Sequence, residues 1–491
     1  MKLKALMAGV LAAASILSLT ACDESAPVNS GNGTSDAPGA TTPATTTTHE
    51  TFADNEGVNS AVQEITDKLD LSEVEVGDRK IKWLGWWPID ETTAEVKLFK
   101  NAYGVPDEQQ LFEYIQVTDY AQAYDLLGTM ISSGDSPDLF PFELQAFPAR
   151  YTKNVFQPID DIVDLSNSKW DGVRELNDQF SLGGKHYCAF FELDVNQFLY
   201  YQTSVVDSAG LDDPRELFEA GNWNWDTFLD MGRKFQLSGD NKYLIDGYVV
   251  DSELVATTGV PLVALENQRL VSNLHNPDIE RAMTDLIDVM QRENLRHPDA
   301  QANTALWVDG DVLFYCHGSA WAWQDTLRNF AKRGKIDAEG VKFVPLPKDP
   351  KADKYYVNGK PYTTLWVTGS ENGDLVGAWI DACMTAALDP DVKAAGKAQR
   401  KENYMWTDEN LDYVYKFTSA GTDNPLTTSL NFINGLGTTV YDKGWGGEIA
   451  IDITRIPYLT AENSYTQLRD MYENTINAAI EETNAKFASF E

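Results

Sequence analysis

Strand-like and helix-like patterns alternate along this chain, and the alternation limits the folds available to it. Residues 79–87 alternate between polar and apolar side chains and end at a proline, which is typical of a β-strand. A helical spacing follows at 92–102, a strand pattern at 113–117, a helical one at 120–133 and a strand at 138–142. Strands joined by helices in this order predict a parallel sheet and the α/β class.

The second half of the chain continues the alternation. Further strand and helix patterns lie at 198–201, 225–234, 278–292, 312–316, 341–346, 363–368, 376–388 and 461–487. The chain from about residue 59 onward has about 430 residues, more than one hydrophobic core normally serves. We therefore expect two α/β lobes, with the chain crossing between them more than once.

The start of the chain matches an export signal that ends in a cysteine. Two lysines precede an apolar stretch at 6–19, which is too short to span a bilayer comfortably and suits a signal peptide. The sequence Leu19-Thr20-Ala21-Cys22 then resembles a bacterial lipobox. We predict a signal peptide at 1–21 and a lipid on Cys22, with an ordinary secretory signal and a chance cysteine as the alternative.

Residues 22–58 are predicted to be a disordered linker. Ser, Thr, Gly, Pro and Ala dominate the stretch, and 41–48 is nearly all Thr. Such a segment has too little apolar surface to offset the entropy lost on ordering. A coil of about 28 residues spans about 30 Å on average. The sequence has no second apolar stretch of spanning length, so the lipid would be the only anchor, on the extracellular face of the cell membrane.

Charge and cysteine content exclude several partners. The chain has 75 acidic and 39 basic residues, a formal net charge of −36, which repels nucleic acid, anionic membrane surfaces and strongly anionic ligands. Cys188, Cys316 and Cys383 are odd in number, show no CxxC spacing and lie in apolar runs. They are predicted to be buried, with neither a disulfide framework nor a zinc site.

Motifs of common enzyme classes are missing from the sequence. The five histidines show no HExxH spacing, and there is no GxSxG, P-loop or GxGxxG. Asp309-Gly310-Asp311 lacks the further oxygen ligands of a calcium loop and indicates a turn. We expect no enzymatic activity, no cofactor and no metal. A surface glycoside hydrolase using two carboxylates is an alternative, as is a cell-surface adhesin.

Five segments of the chain, taken together, resemble one family. Residues 131–140 (ISSGDSPDLF) match a helix, an SGD-x-PD motif and a strand. Residues 182–187 (LGGKHY), followed by 199–201 (LYY), match a GK-x-Y … YN passage, with Gln202 where Asn is usual. The next segment, 212–228, carries an Asp-Pro and then NWNWDTF, similar to a P-x-TW-x-E/D-F helix start.

The last two segments complete the resemblance. Residues 310–323 include HGSAWAW, similar to G-x-x-A-M … G-x-W-x-W, and 344–347 (VPLP) match a PLP strand. In this order the segments cover about 79–491. They resemble the bacterial extracellular solute-binding proteins of ABC transporters, family 1, the sugar-binding group that includes maltose-binding protein.

The resemblance implies a type II periplasmic-binding-protein-like fold, in which two lobes close on a ligand between them. The first lobe would comprise 59–190 and 363–430, and the second 191–362 and 431–491. The implied function is that of a monomer that captures a sugar or oligosaccharide and delivers it to ABC transporter permease subunits. Another small solute, such as a peptide or polyol, is an alternative ligand.

A neutral sugar has apolar C–H faces and a rim of hydroxyls, so its site needs aromatic platforms and planar polar groups. Candidates follow strand ends, where open α/β sheets place ligands. The predicted ligand-binding residues are Trp86, Trp87, Asp90, Phe142, Glu143, Phe191, Glu192, Trp321, Trp323, Trp366 and Trp445. The resemblance assigns Trp321 and Trp323 to a sugar-stacking loop. Trp86 and Trp87 would point to opposite faces if their strand continued through them.

Overall fold

The computed structural model describes residues 55–66, 74–118, 122–142, 144–195, 197–248, 250–297, 303–316, 318–404, 406–418, 424–441, 448–460 and 462–488, without the side chains of 144, 192–194, 321–323 and 360–362. The predicted signal peptide, Cys22 and most of the predicted linker lie outside these residues. The first described helix begins at Glu56, inside the linker predicted at 22–58. This end of the linker is helical because its apolar face, with Val58, Val62 and Ile65, is buried.

Helices and strands alternate as the sequence predicts. The α-helices are α1 (Glu56–Thr66), α2 (Ala94–Tyr103), α3 (Ala123–Ser133), α4 (Arg174–Gln179), α5 (Thr203–Ser208), α6 (Pro214–Glu219), α7 (Trp225–Gln236), α8 (Val250–Ala256), α9 (Pro277–Arg281), α10 (Asp288–Arg292), α11 (Thr304–Val308), α12 (Ala320–Lys332), α13 (Gly373–Leu388), α14 (Pro390–Tyr404), α15 (Asp408–Thr418), α16 (Ile449–Leu459) and α17 (Tyr465–Phe487). A π-helical segment, Ala282–Ile287, connects α9 to α10.

Within the described residues, the strands form two larger sheets and three smaller ones. They are β1 (Ile81–Gly85), β2 (Phe112–Gln116), β3 (Leu139–Pro141), β4 (Ser181–Leu182), β5 (Lys185–His186), β6 (Glu192–Val195), β7 (Leu199–Gln202), β8 (Tyr243–Gly247), β9 (Val263–Glu266), β10 (Arg269–Ser272), β11 (Val312–Cys316), β12 (Val341–Val344), β13 (Tyr355–Tyr362), β14 (Thr364–Trp366) and β15 (Leu426–Ser429).

The first lobe is built on a sheet of order β14-β3-β1-β2. β1 runs parallel to β2, with Gly85 opposite Gln116, and parallel to β3, whereas β14 pairs antiparallel with β3. One face is covered by α2 and α13, whose Phe99 and Trp379 are buried in the same core as Trp83 of β1. The predicted parallel βαβαβ unit is therefore confirmed.

The second lobe is built on a sheet of order β12-β7-β11-β8. β11 is parallel to β8 but antiparallel to β7, and β12 is antiparallel to β7. The rings of Trp223, Phe228 and Phe314 contact one another under this sheet, with centroids between 5.5 and 5.8 Å apart. Like the first sheet, it is mixed, with parallel and antiparallel neighbours.

A small sheet joins the two lobes. β13 pairs antiparallel with β6, with Gly359 opposite Val195, and parallel with β15. β6 carries the chain toward β7 of the second sheet, and β13 carries it back toward β14 of the first. The chain thus crosses between the lobes more than once, and two of the crossing strands are hydrogen-bonded to each other.

Helix α15 lies within the range assigned to the first lobe from the sequence, 363–430, but packs against the second. Arg215 of α6, which is 3 % exposed, donates to the carboxylate of Glu409 (2.9 Å), to the side chain of Asn410 (2.8 Å) and to the carbonyl of Phe343 in β12 (3.1 Å). Its guanidinium also lies 4.0 Å from the ring centroid of Tyr413. This buried cation fixes α15 to the second sheet, which differs from the expected lobe boundary.

Three cysteines lie in the described part of the chain. Cys188, Cys316 and Cys383 are buried, as predicted, and the structure shows them as free thiols. Burial raises the pKa of the Cys188 thiol to about 12, although the Tyr151 hydroxyl opposes that rise.

None of the helices in the described ranges combines the length and apolar character needed to cross a bilayer.

Candidate functional site

Two tryptophans meet where β1 ends. The strand stops at Gly85, and the rings of Trp86 and Trp87 then stack with centroids 6.1 Å apart and planes inclined by 27°. The Trp86 ring also meets the edge of Phe140 at 5.7 Å, and Trp87 is 36 % exposed. Neighbouring side chains point to opposite faces only within a strand, and β1 ends before Trp86, so the two rings can lie on the same side. The two rings form one aromatic surface that is open to solvent at Trp87.

Gly85 makes this arrangement possible. The indole of Trp83 folds over the glycine and donates from Nε1 to the carbonyl of Trp87 at 2.7 Å. A Cβ on residue 85 would lie 2.7 Å from the Trp83 ring, closer than real contacts allow. Buried Trp83 therefore holds Trp87 through its carbonyl and through an edge contact between the two rings, whose centroids lie 5.9 Å apart, while 36 % of Trp87 stays exposed.

Asp90 organises the turn that follows. Its Oδ1 accepts hydrogen bonds from the backbone N–H of Thr92 (2.9 Å) and from the Thr92 hydroxyl (2.8 Å). Such a side-chain-to-backbone contact is a common turn device. A ligand contact by Asp90 would use its second carboxylate oxygen.

Three further predicted residues lie against the cores of the first lobe. Phe142 is 2 % exposed and meets the edges of Phe180 and Phe190, both at 5.4 Å between centroids. Phe142 is thus a packing residue in this conformation, in contrast to the expected ligand contact. Phe191 and Trp366 are partly buried against the core under α13 and keep part of their surface exposed.

The remaining predicted residues are described in part or not at all. Glu143 and Trp445 lie outside the described residues. The backbone of Glu192 pairs with Tyr362 in the sheet that joins the lobes. Trp321 and Trp323 occupy the first turn of α12, and their side chains are not described.

The loop leading into α12 is held by two residues that the sequence analysis missed. Gln197, which is 6 % exposed, accepts through Oε1 from the backbone N–H of Gly318. The hydroxyl of Tyr200 donates to the carbonyl of Ser319 at 3.4 Å. A polar amide between the apolar ends of β6 and β7 was the available signal in the sequence. Both contacts position the start of α12, and with it Trp321 and Trp323.

The carboxyl ends of β8 and β11 approach each other closely at the same place. Gly247 has a φ of 144°, and a Cβ there would lie 2.0 Å from the carbonyl oxygen of Cys316. Only glycine fits this approach. The ends of β8 and β11 therefore lie against each other directly before the α12 loop.

A buried polar contact ties α8 to the returning strand. Glu253, which is 2 % exposed, accepts from the side-chain nitrogen of Asn358 in β13 at 3.1 Å. Oδ1 of Asn358 and the hydroxyl of Ser429, its register partner in β15, are buried without hydrogen-bond partners among the described residues. Two buried polar atoms in the strands between the lobes thus have no partner among the described residues. The apolar pattern of the sequence does not predict buried polar groups at these positions.

Solved structures of known proteins share this architecture. The GacH receptor of Streptomyces glaucescens, solved unliganded and with acarbose, matches with a TM-score of 0.56 and 14 % identity, covering 82 % of this chain and 99 % of its own. The galacto-N-biose-/lacto-N-biose I-binding protein of a Bifidobacterium longum ABC transporter matches with a TM-score of 0.58 and 12 % identity, covering 84 % of this chain and 98 % of its own.

A third structure agrees with these two. The cyclic α-maltosyl-1,6-maltose binding protein from Arthrobacter globiformis matches with a TM-score of 0.57 and 13 % identity, covering 83 % of this chain and 100 % of its own. No curated protein sequence matched this chain. At such identities the structures show the shared two-lobe fold.

The sequence itself identifies the family. The profile of bacterial extracellular solute-binding proteins matches residues 109–389, more than half of the 491 residues. That range contains both crossings β6 and β13, the loop before α12 and all four strands of the second sheet. The chain therefore belongs to the bacterial extracellular solute-binding proteins.

Proposed function

We propose that this protein captures a neutral sugar or oligosaccharide between its two lobes. The observation that carries the proposal is the stacked pair Trp86–Trp87 at the carboxyl end of β1, with Trp87 36 % exposed. Flat aromatic rings at a strand end suit the apolar face of a sugar ring. The net charge of −36 favours an uncharged ligand over an anionic one.

The second lobe would supply the opposite wall. Trp321 and Trp323 lie in the first turn of α12, behind a loop fixed by Gln197 and Tyr200. We propose these two tryptophans, with Trp86, Trp87, Asp90 and partly exposed Phe191 and Trp366, as ligand contacts. Glu143, Glu192 and Trp445 remain candidates from the sequence.

Similar proteins support a carbohydrate ligand. The three structures reported above were solved or named with acarbose, lacto-N-biose and a cyclic maltosyl-maltose as ligands. Their chemistry is shared: each is an oligosaccharide or an analogue of one. We infer the same ligand class for this chain.

We further propose that the protein works as a monomer at the extracellular face of the cell membrane, anchored by a lipid on Cys22. In this role it hands its ligand to the permease subunits of an ABC transporter and catalyses no reaction. Support comes from the lipobox-like sequence at 19–22 and from the family, whose members are extracellular solute-binding proteins.

Calorimetry against a panel of neutral mono- and oligosaccharides, with short peptides and polyols as controls, tests the proposal. Chromatography of the same samples after incubation would reveal any product. We expect saturable binding of at least one sugar and no turnover. Binding of peptides alone would refute the sugar assignment, and hydrolysis would refute a pure binding role.

A further inference from the structure

One residue lies where the chain enters the second lobe. Gln197 comes two residues after Val195, the last residue of β6, and two before Leu199, the first of β7. β6 is paired with β13 in the sheet that joins the lobes, whereas β7 belongs to the sheet of the second lobe. Because motion between lobes is absorbed by a few residues at the ends of such strands, Gln197 lies where the backbone has to change.

The backbone of Gly318 is held on both sides by this short segment. Oε1 of Gln197 accepts from the backbone N–H of Gly318, and the N–H of Phe198 donates to the carbonyl of Gly318 at 3.4 Å. Two neighbouring residues at the end of the crossing thus bond the donor and the acceptor of one residue. Gly318 cannot move away from them without losing both hydrogen bonds.

The side-chain contact is buried. Gln197 is 6 % exposed, and its Oε1 also accepts from the thiol of Cys316 at 3.6 Å. Burial raises the pKa of this thiol well above its ordinary value, so the thiol keeps its proton and remains a donor. Breaking a buried hydrogen bond leaves a polar group unpaired, which is costly. Gly318 is therefore expected to follow Gln197 when the chain changes conformation there.

Gly318 is close to the proposed second wall of the site. It lies two residues before α12, whose first turn contains Trp321 and Trp323. The hydroxyl of Tyr200 in β7 donates to the carbonyl of Ser319 at 3.4 Å and adds a further contact to the same loop. A displacement at the end of the crossing therefore reaches the start of the helix through two residues of the loop.

We propose that Gln197 is a positioning residue that couples the crossing between the lobes to the start of α12, so that a change in β6 displaces Trp321 and Trp323. The inference rests on the proposed function, in which these two tryptophans contact the sugar. Closure of the lobes and placement of the second wall then form a single movement. The closed form differs from the open one in the shape of its wall as well as in the distance between the lobes, and a ligand can select it on both grounds.

The amide of Gly318 can be observed alone, because His317-Gly318 is the only His-Gly pair in the sequence. Labelling the full-length chain with ¹³C-carbonyl histidine and ¹⁵N-glycine leaves this one amide in a carbonyl-correlated NMR spectrum. Gln197→Met removes the acceptor and should speed exchange of the amide hydrogen with solvent about ten-fold. Gln197→Glu keeps an acceptor oxygen and should exchange at close to the native rate. Gln202→Met, the matched control at the other end of β7, loses its bond to the carbonyl of Trp307 and should leave Gly318 unchanged.

A second measurement separates coupling from simple support of the loop. Val195→Ala trims a buried side chain of β6. It should shift the Gly318 amide signal of the native chain, and shift it by about half as much or less in the Gln197→Met chain, because coupled positions are not additive. The shift in the native chain is measured without any variant of Gln197, so it tests the proposal even where such a variant fails to fold.

Equal shifts in the two backgrounds, no shift in the native chain, or native exchange in Gln197→Met would overturn the proposal. Exchange in Gln197→Glu as fast as in Gln197→Met would do the same, since the acceptor would then not be what protects Gly318. No sugar is used in these measurements. A failed sugar screen would therefore refute the proposed ligand and leave the coupling standing, and a successful screen would not rescue the coupling.

Discussion

The indole rings of Trp86 and Trp87 stack on each other although the two residues are neighbours in sequence. Within a strand, neighbouring side chains point to opposite faces, so the stack exists only because β1 ends at Gly85. One ring is anchored on Phe140, and the other is 36 % exposed. The pair therefore couples the core of the first lobe to an open aromatic surface.

Replacing Trp87 with alanine should weaken sugar binding by about 1–3 kcal/mol, because a stacking ring is lost. The free energy of unfolding should change little, since the ring is partly exposed and the carbonyl that accepts from Trp83 remains. Calorimetry with the sugar found in the panel measures the effect. Leu126→Ala, also 36 % exposed and in the first lobe, is the control. Equal affinities of the two variants would remove Trp87 from the site.

The sequence predicted most strands of the two main sheets because their patterns are local. β1 and β11 are long apolar or alternating runs and lie within or at the predicted bounds. The β9–β10 hairpin was missed. Its two-residue turn, Asn267 and Gln268, has positive φ at both positions, 50° and 58°, where a glycine usually marks the second. Because residue 268 is glutamine, the sequence lacks the glycine that would have predicted this turn.

Alanine at Trp321 or at Trp323 should each weaken sugar binding by about 1–3 kcal/mol, for the same reason as at Trp87. Circular dichroism should show folded variants. Titration of each single variant with the same sugar provides the test. Unchanged affinity in both would place the second wall of the site elsewhere.

The lobe to which each segment belongs could not be predicted from the sequence. Nothing in the apolar pattern of α15 says which sheet it covers, since either would bury the same face. Its position is decided by contacts with Arg215, a residue 194 positions away from Glu409. The site shows the same limit: the sequence places Trp86 and Trp87 at the end of a strand, but it does not point to Gln197, whose contact with Gly318 depends on the folded chain.

The stability of the protein should depend on pH through Asp251. Burial raises the pKa of this carboxyl above its ordinary value, opposed by the hydroxyl of Thr454 and the charge of Arg455. The folded state therefore holds the proton more tightly than the unfolded chain does. The stabilising contribution is complete below the unfolded pKa of about 3.9 and is lost as pH rises through the folded pKa.

Urea unfolding of the native chain and of Asp251→Asn, repeated from about pH 4 to pH 7, measures this dependence. The stability of the native chain relative to the variant should fall as pH rises. Asp207→Asn, at an exposed position, should show no such trend. A relative stability that rises with pH would contradict the sign of the shift.

Replacing Cys22 with serine should release the protein into the medium, because the thiol that would carry the lipid is gone. Cell fractionation followed by immunoblotting compares the variant with the native chain. Cys383→Ser, at a buried cysteine, should remain with the cells. A variant at Cys22 that stays with the membrane and is processed unchanged would argue against lipidation.

Closure of the lobes on the sugar should make the molecule more compact. Two neighbouring strands, β6 and β13, carry the chain between the lobes and are paired from Val195–Gly359 to Glu192–Tyr362, so both must change conformation together. A ligand can shift the balance from open to closed only if it binds the closed form better, using contacts from both lobes. Trp87 on one lobe and Trp323 on the other are the proposed contacts.

Small-angle scattering with and without saturating sugar should therefore show a smaller radius of gyration when the ligand is present. Trp87→Ala, at the same sugar concentration as the native chain, should close less because it loses contacts from one wall. The two variants of α12 should behave alike, since closure depends on both walls at once. A radius of gyration that stays the same at full saturation would mean that the sugar binds to a rigid cleft, and that affinity rests on one wall alone.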